Sequence, residues 1–173
     1  MNKTLFSAKR LCRAGIIAAL YVVLTYVFSP LAFGPFQIRP AEAFCILPLF
    51  FPEAIPALFI GCALSNLASP YAVFDVPIGA LTTLLAAFGS YMVGRFCQKE
   101  PLRFLLGGIF PVLLNAFIIP VVFLYLYGDT TASAIVYFSN VLSIFLSQAV
   151  WVYGLGSAVY YPIKRIKDTW LHS

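Results

Sequence analysis

Between Ala14 and Gly94 the chain carries charge at only four positions, Arg39, Glu42, Glu53 and Asp75, and the rest is a succession of apolar runs broken by proline, glycine and a few polar residues. A stretch so poor in charge cannot cover itself with a water-facing surface. Across all 173 residues 62% are hydrophobic and 10% charged, against roughly 45–50% and about 25% in an ordinary soluble domain. Mean hydropathy is +0.94. These values exclude a soluble enzyme and a disordered chain, and the length leaves no room for several domains. The expectation is one all-α integral membrane domain over residues 1–173.

Six helices are expected, at about 11–28, 41–51, 54–68, 78–94, 104–127 and 132–161. The second and third are short: at about 1.5 Å per residue they reach roughly 17 and 22 Å, against about 30 Å of hydrocarbon. They form either two tilted short spans or a re-entrant hairpin. Between the first two helices, SPLAFGPFQIRP holds three prolines and a glycine. It cannot be a regular helix and must bend or line a cavity.

The formal net charge of +5 arises from eleven Lys and Arg against six Asp and Glu. With both termini inside, Lys3, Lys9, Arg10, Arg13, Arg95, Lys99, Arg103, Lys164, Arg165 and Lys167 are cytoplasmic and Arg39 alone is outside, a ten-to-one asymmetry. That is a topology signal rather than a nucleic-acid footprint. Cys12, Cys45, Cys62 and Cys97 have no C-x-x-C spacing and read as thiols, mostly buried in apolar runs, rather than a metal or redox site.

In this topology Arg39, Glu42, Asn66 and Asp75 fall at the outer ends of their helices. Arg39 is either an exposed loop charge or a ligand or gate residue. Glu42, in the first turn of a helix opened by Pro40, either caps that helix or recognises a solute. Glu53, at the similar Pro52-Glu53 start on the cytoplasmic side, is read as a cap. Asn115, midway along the fifth span, approaches the outer level if its helix tilts, and Gln148 in the last span is a further member. Each amide alone could serve as interhelical glue; their convergence with Glu42 points to a pocket. Phe33, Phe36, Tyr71 and Phe74 in the outer loops either belt the interface or stack a flat ligand. A carboxylate beside amides suits a guanine-like edge with a ring N–H and an exocyclic amine.

Small residues at Ala14 and Ala18, at Gly15 and Ala19, and at Ala86, Ser90 and Gly94 let helices approach closely, for internal packing or for docking to another membrane protein. His172 is the single histidine and no glycine loop precedes a Walker lysine, so His-based catalysis and nucleotide hydrolysis by this chain are excluded. No cofactor is called for.

The runs ALYVVLTYVFSPLAFGPFQIRPAEAF, LPLFFPEAIPALFIGCALSNL, DVPIGALTTLLAA and FPVLLNAFIIP together resemble the QueT family, the queuosine-precursor substrate-binding subunits of energy-coupling-factor transporters. The resemblance covers about residues 14–160. It implies a six-helix binding subunit of the bacterial cell membrane, surrounded by lipid, that takes up a 7-deazaguanine such as the 7-cyano or 7-aminomethyl derivative. It further implies a transmembrane coupling protein and two cytoplasmic ATPase subunits as partners. The substrate would be held by Arg39, Glu42, Asn66, Asp75 and Asn115, with Gln148 beside them, under a lid loop containing Phe36 and Gln37. Ala14 and Ala18 would meet the coupling protein. The alternative from another class is a stand-alone facilitator or channel for a small polar solute.

Overall fold

The computed structural model describes residues 7–33, 37–126 and 133–172. Every regular element among them is helical. Four helices are long and apolar enough to cross a membrane: α1 (Ala8–Val27), α3 (Ala72–Phe96), α4 (Glu100–Leu126) and α5 (Ala134–Ile166). The shorter apolar elements are a 3-10 helix, Pro40–Leu49, and α2, Ala54–Ser65. The protein is thus all-α, with four long and two short apolar helical elements.

The 3-10 segment is the centre of the molecule. All of its residues except Phe44 are buried, and α1, α2, α3, α4 and α5 all pack on it. Winding as 3-10 stretches ten residues over about 20 Å, where an α-helix would cover about 15 Å. Pro48 lies inside it, and such a residue disfavours a regular α-helix there. Its neighbours are trimmed to admit it. A Cβ on Gly94 would lie 2.6 Å from the Leu49 carbonyl oxygen, and one on Gly107 would lie 2.7 Å from Leu49 Cδ2. Ser90 reaches across from α3 to donate to the Gly107 carbonyl at 2.6 Å. The small face of Ala86, Ser90 and Gly94 is therefore internal packing.

Ala14 and Ala18 are half-buried on the side of α1 that packs against the core of Ile17, Tyr21, Ala57 and Leu58. A Cβ on Gly61 of α2 would meet the Ala18 carbonyl at 3.3 Å and Tyr21 Cβ at 3.2 Å. This pair already has a partner within the chain. The neighbouring small residues, Gly15 and Ala19, are exposed, and a Cβ on Gly15 would meet nothing within 4 Å.

Two helices start earlier than expected, each across a proline. The helix expected from residue 78 begins at Ala72 and passes Pro77 through a wider π turn, Asp75–Gly79. The one expected from 104 begins at Glu100, because Pro101 sits in the first turn, where its missing N–H costs nothing. Of two further π turns, Val122–Leu126 is the last described turn of α4 and Val150–Leu155 interrupts α5.

Most of the basic side chains that the structure describes gather at one end. Arg13 pairs with Glu53 at 2.6 Å, so Glu53, read as a cap, is an ion-pair partner and makes no capping bond. Glu100 pairs with Lys164 at 3.2 Å and accepts from the Tyr160 hydroxyl at 2.7 Å. Arg103 donates to the Leu49 carbonyl at 2.5 Å. Arg39 starts the central segment at its other end.

Candidate functional site

At the Arg39 end of the 3-10 segment a set of polar side chains is buried among the helices. Pro40 occupies the first helical position and Glu42 the first turn, so the segment turns both Arg39 and Glu42 into the bundle rather than toward its surface. Glu42 is 1% exposed. Its Oε1 accepts from the Tyr21 hydroxyl at 2.7 Å, and its Oε2 accepts from the Cys45 thiol at 3.2 Å and from Asn115 Nδ2 at 3.5 Å. Arg39 Nη2 donates to Asn66 Oδ1 at 3.2 Å and to the Tyr21 hydroxyl at 3.4 Å. Its Nε stands 3.7 Å from Glu42 Oε1, inside ion-pair range but beyond a hydrogen bond.

A buried carboxylate and guanidinium carry a large desolvation cost, offset only when further hydrogen bonds complete both groups. Tyr21 does this for the pair, since one hydroxyl accepts from the cation and donates to the anion. Asn66 does it on the other side: its Oδ1 faces Arg39 while its Nδ2 donates to the Asp75 carbonyl at 2.7 Å. The amide reaches that carbonyl only because residue 79 is glycine; a Cβ there would collide with Asn66 Nδ2. Thr83 completes the floor by donating to Cys62 Sγ at 3.2 Å.

Arg39, Glu42, Asn66 and Asn115 thus form one network. Asp75 joins it through its backbone carbonyl, while its carboxylate is bound by the Ser69 hydroxyl. Gln148 is 1% exposed, and neither its Nε2 nor its Oε1 has a hydrogen-bond partner among the described residues. Gln37 is 4% exposed, and its Oε1 and Arg39 Nε are in the same condition. Its backbone has a φ of 35°, a left-handed conformation unusual for a residue with a Cβ. The Ser147 hydroxyl fixes it by donating to the Gln37 carbonyl at 2.8 Å. Phe33 lies beneath the Arg39 guanidinium at 5.7 Å. Phe36 lies outside the described residues. Tyr71 and Phe74 are half-buried at the start of α3.

Tyr21, Cys45 and Cys62 are the members that the sequence reading did not place here. For Tyr21 a signal exists: Ile17, Tyr21 and Thr25 recur at four-residue spacing and are the buried stripe of α1, so a phenol and a hydroxyl lie on its inward face. The two thiols, expected in apolar surroundings, instead hydrogen-bond within the cluster. No spacing rule would show this.

A family model described as QueT transporter matches residues 11–165. Among curated proteins, the Queuosine precursor transporter QueT of Lactococcus lactis subsp. cremoris (strain MG1363) is 38% identical over 84 residues, which are 47% of this chain and 49% of that protein. In that match the chain spans about half the length of its curated relative. No solved structure matches.

Proposed function

The chain belongs to the QueT transporter family, and from that premise we propose that it is the substrate-binding membrane subunit of an energy-coupling-factor importer for a queuosine precursor, a 7-deazaguanine such as the 7-cyano or 7-aminomethyl derivative. The observation that carries the proposal is the Arg39–Glu42 network, an ion pair with amides and a phenol buried among apolar helices. Ionisable side chains at such depth are costly and mark substrate pathways. Burying them serves a ligand with polar edges and a flat face, as a 7-deazaguanine has.

In this reading both termini and the basic end face the bacterial cytoplasm, consistent with the ten-to-one count of Lys and Arg, and the Arg39 end faces outward. Arg39, Glu42, Asn66, Asp75, Asn115 and Gln148 make the seat, and Phe36 and Gln37 belong to its lid. The chain itself does no chemistry. Energy comes from two ATPase subunits through a transmembrane coupling protein, which meets α1 on or beside the Ala14 and Ala18 face.

The experiment is affinity purification from membranes of cells that also express the coupling protein and the ATPases, followed by uptake of labelled precursor in reconstituted vesicles. Co-purification of all the subunits, with uptake that requires internal ATP, is the expected result. Uptake by this chain alone, without ATP, would instead identify a facilitator.

A further inference from the structure

Glu42 already accepts from Tyr21, Cys45 and Asn115 within the chain, so the groups still lacking partners are elsewhere. Among the described residues they are the Gln148 amide, both its Nε2 and its Oε1, Oε1 of Gln37 and, on the cations, Nε of Arg39 and of Arg103; the amides alone offer both a donor and acceptors. A buried polar atom left without a partner costs free energy, and a folded chain keeps few of them without a use. Residue 37 also holds a left-handed backbone conformation, a strain that is retained where surrounding structure enforces it.

The two amides enter the bundle from neighbouring points. Ser147, which precedes Gln148 on α5, is the residue bonded to the Gln37 carbonyl. From there the central segment and α5 run side by side, since a Cβ on Gly156 would lie 3.5 Å from the Ala43 carbonyl oxygen. Gln148 is thereby brought level with Gln37, at the start of the stretch that leads to Arg39 and Glu42. Over Ala134–Ala149 of α5, Val141, Ile144 and Gln148 are the buried residues, and the first two pack on Ala116 and Ile119 of α4. One turn further, Gln148 faces the neighbourhood of Asn115.

We infer that Gln148 and Gln37 are the specificity-determining residues of the seat, reading a 2-amino lactam edge of the ligand as a donor, an acceptor and a second acceptor. Gln148 Nε2 donates to the ring carbonyl and its Oε1 accepts from the adjacent ring N–H. Gln37 Oε1 accepts from the exocyclic amine. An amide matches a neighbouring acceptor and donor with two parallel bonds. A lactam without the 2-amine would leave Gln37 unpaired, and losing the partner of a buried polar group discriminates strongly. Glu42 and Arg39 in this scheme hold the wall of the seat rather than its reading edge.

The inference rests on the deazaguanine reading above, and the test separates the two. The affinities of 7-deazaguanine and of 7-deazahypoxanthine, which lacks the 2-amine, are measured by calorimetry on the purified full chain and on Gln37→Gly and Gln148→Met. Glycine suits the left-handed conformation, and methionine keeps the volume of glutamine without polar atoms to satisfy. The wild type is expected to favour 7-deazaguanine at least tenfold, Gln37→Gly to reduce that preference to threefold or less, and Gln148→Met to weaken both ligands at least tenfold while melting no lower than the wild type. If the wild type binds neither ligand, the deazaguanine reading and this inference both fail. If the wild type binds but does not discriminate, if Gln37→Gly keeps the full preference, or if Gln148→Met binds like the wild type because water serves the amide, this inference alone fails. Should Gln148→Met not fold, Gln37→Gly decides.

Discussion

Asn66 shows how a single side chain ties the site together. Its two amide atoms join Arg39 to the carbonyl of Asp75, and the geometry requires a hydrogen atom in place of a side chain at position 79. Gly79→Ala is therefore expected to push the amide aside and leave Arg39 short of an acceptor. Each displaced bond to a buried charged group costs about 1.5–3 kcal/mol. A fall of tenfold or more in precursor affinity, with little change in helix content by circular dichroism, is the expected outcome; unchanged affinity would mean that Asn66 plays no part in holding the seat. Arg39, Glu42, Asn66 and Asn115 were legible from sequence because charged and amide residues are rare in apolar runs. Tyr21 was not, because an aromatic residue in a span looks the same whether it faces lipid or a carboxylate, and only the four-residue stripe with Ile17 and Thr25 distinguishes the two.

At the scale of the elements, apolar run lengths sufficed to find the four long helices. Their winding was not legible. The helices expected from 78 and 104 begin earlier, because a π turn absorbs Pro77 and Pro101 sits in a helix start. The 3-10 form of Pro40–Leu49 depends on tertiary packing, since its path is set by the gaps left at Gly94 and Gly107. The same dependence separates the two small-residue faces of α1. Ala18 is covered by α2 around Gly61, so Ala18→Leu overfills that contact and is expected to destabilise the protein by about 1–3 kcal/mol. Ala19→Leu, on the exposed face, is expected to leave melting and ligand binding unchanged and to block uptake if the proposed coupling protein docks there. Melting curves and vesicle uptake of the two variants check this; normal uptake by Ala19→Leu would remove that face from the docking surface.

For the molecule as a whole, the polar groups divide between its two ends. The basic end is bound by surface and half-buried ion pairs, Arg13 with Glu53 and Glu100 with Lys164, each contributing little to stability. The other end sinks its charges into the bundle, where they contribute only if a ligand or a complete network answers them. One element of the fold, the buried 3-10 segment, connects both. The central claim is that the network at its Arg39 end seats the queuosine precursor. Calorimetric titration of 7-deazaguanine precursor into the purified wild type and Glu42→Gln tests it most directly. The glutamine would set an amide donor against Tyr21 or against Cys45 and Asn115, and would leave Arg39 without its counter-charge. The account predicts saturable one-to-one binding to the wild type and, because Glu42 acts through the wall of the seat, a loss of about tenfold or more (about 1.4 kcal/mol) in the variant. Equal affinity in the two proteins, or no saturable binding to the wild type, would contradict it.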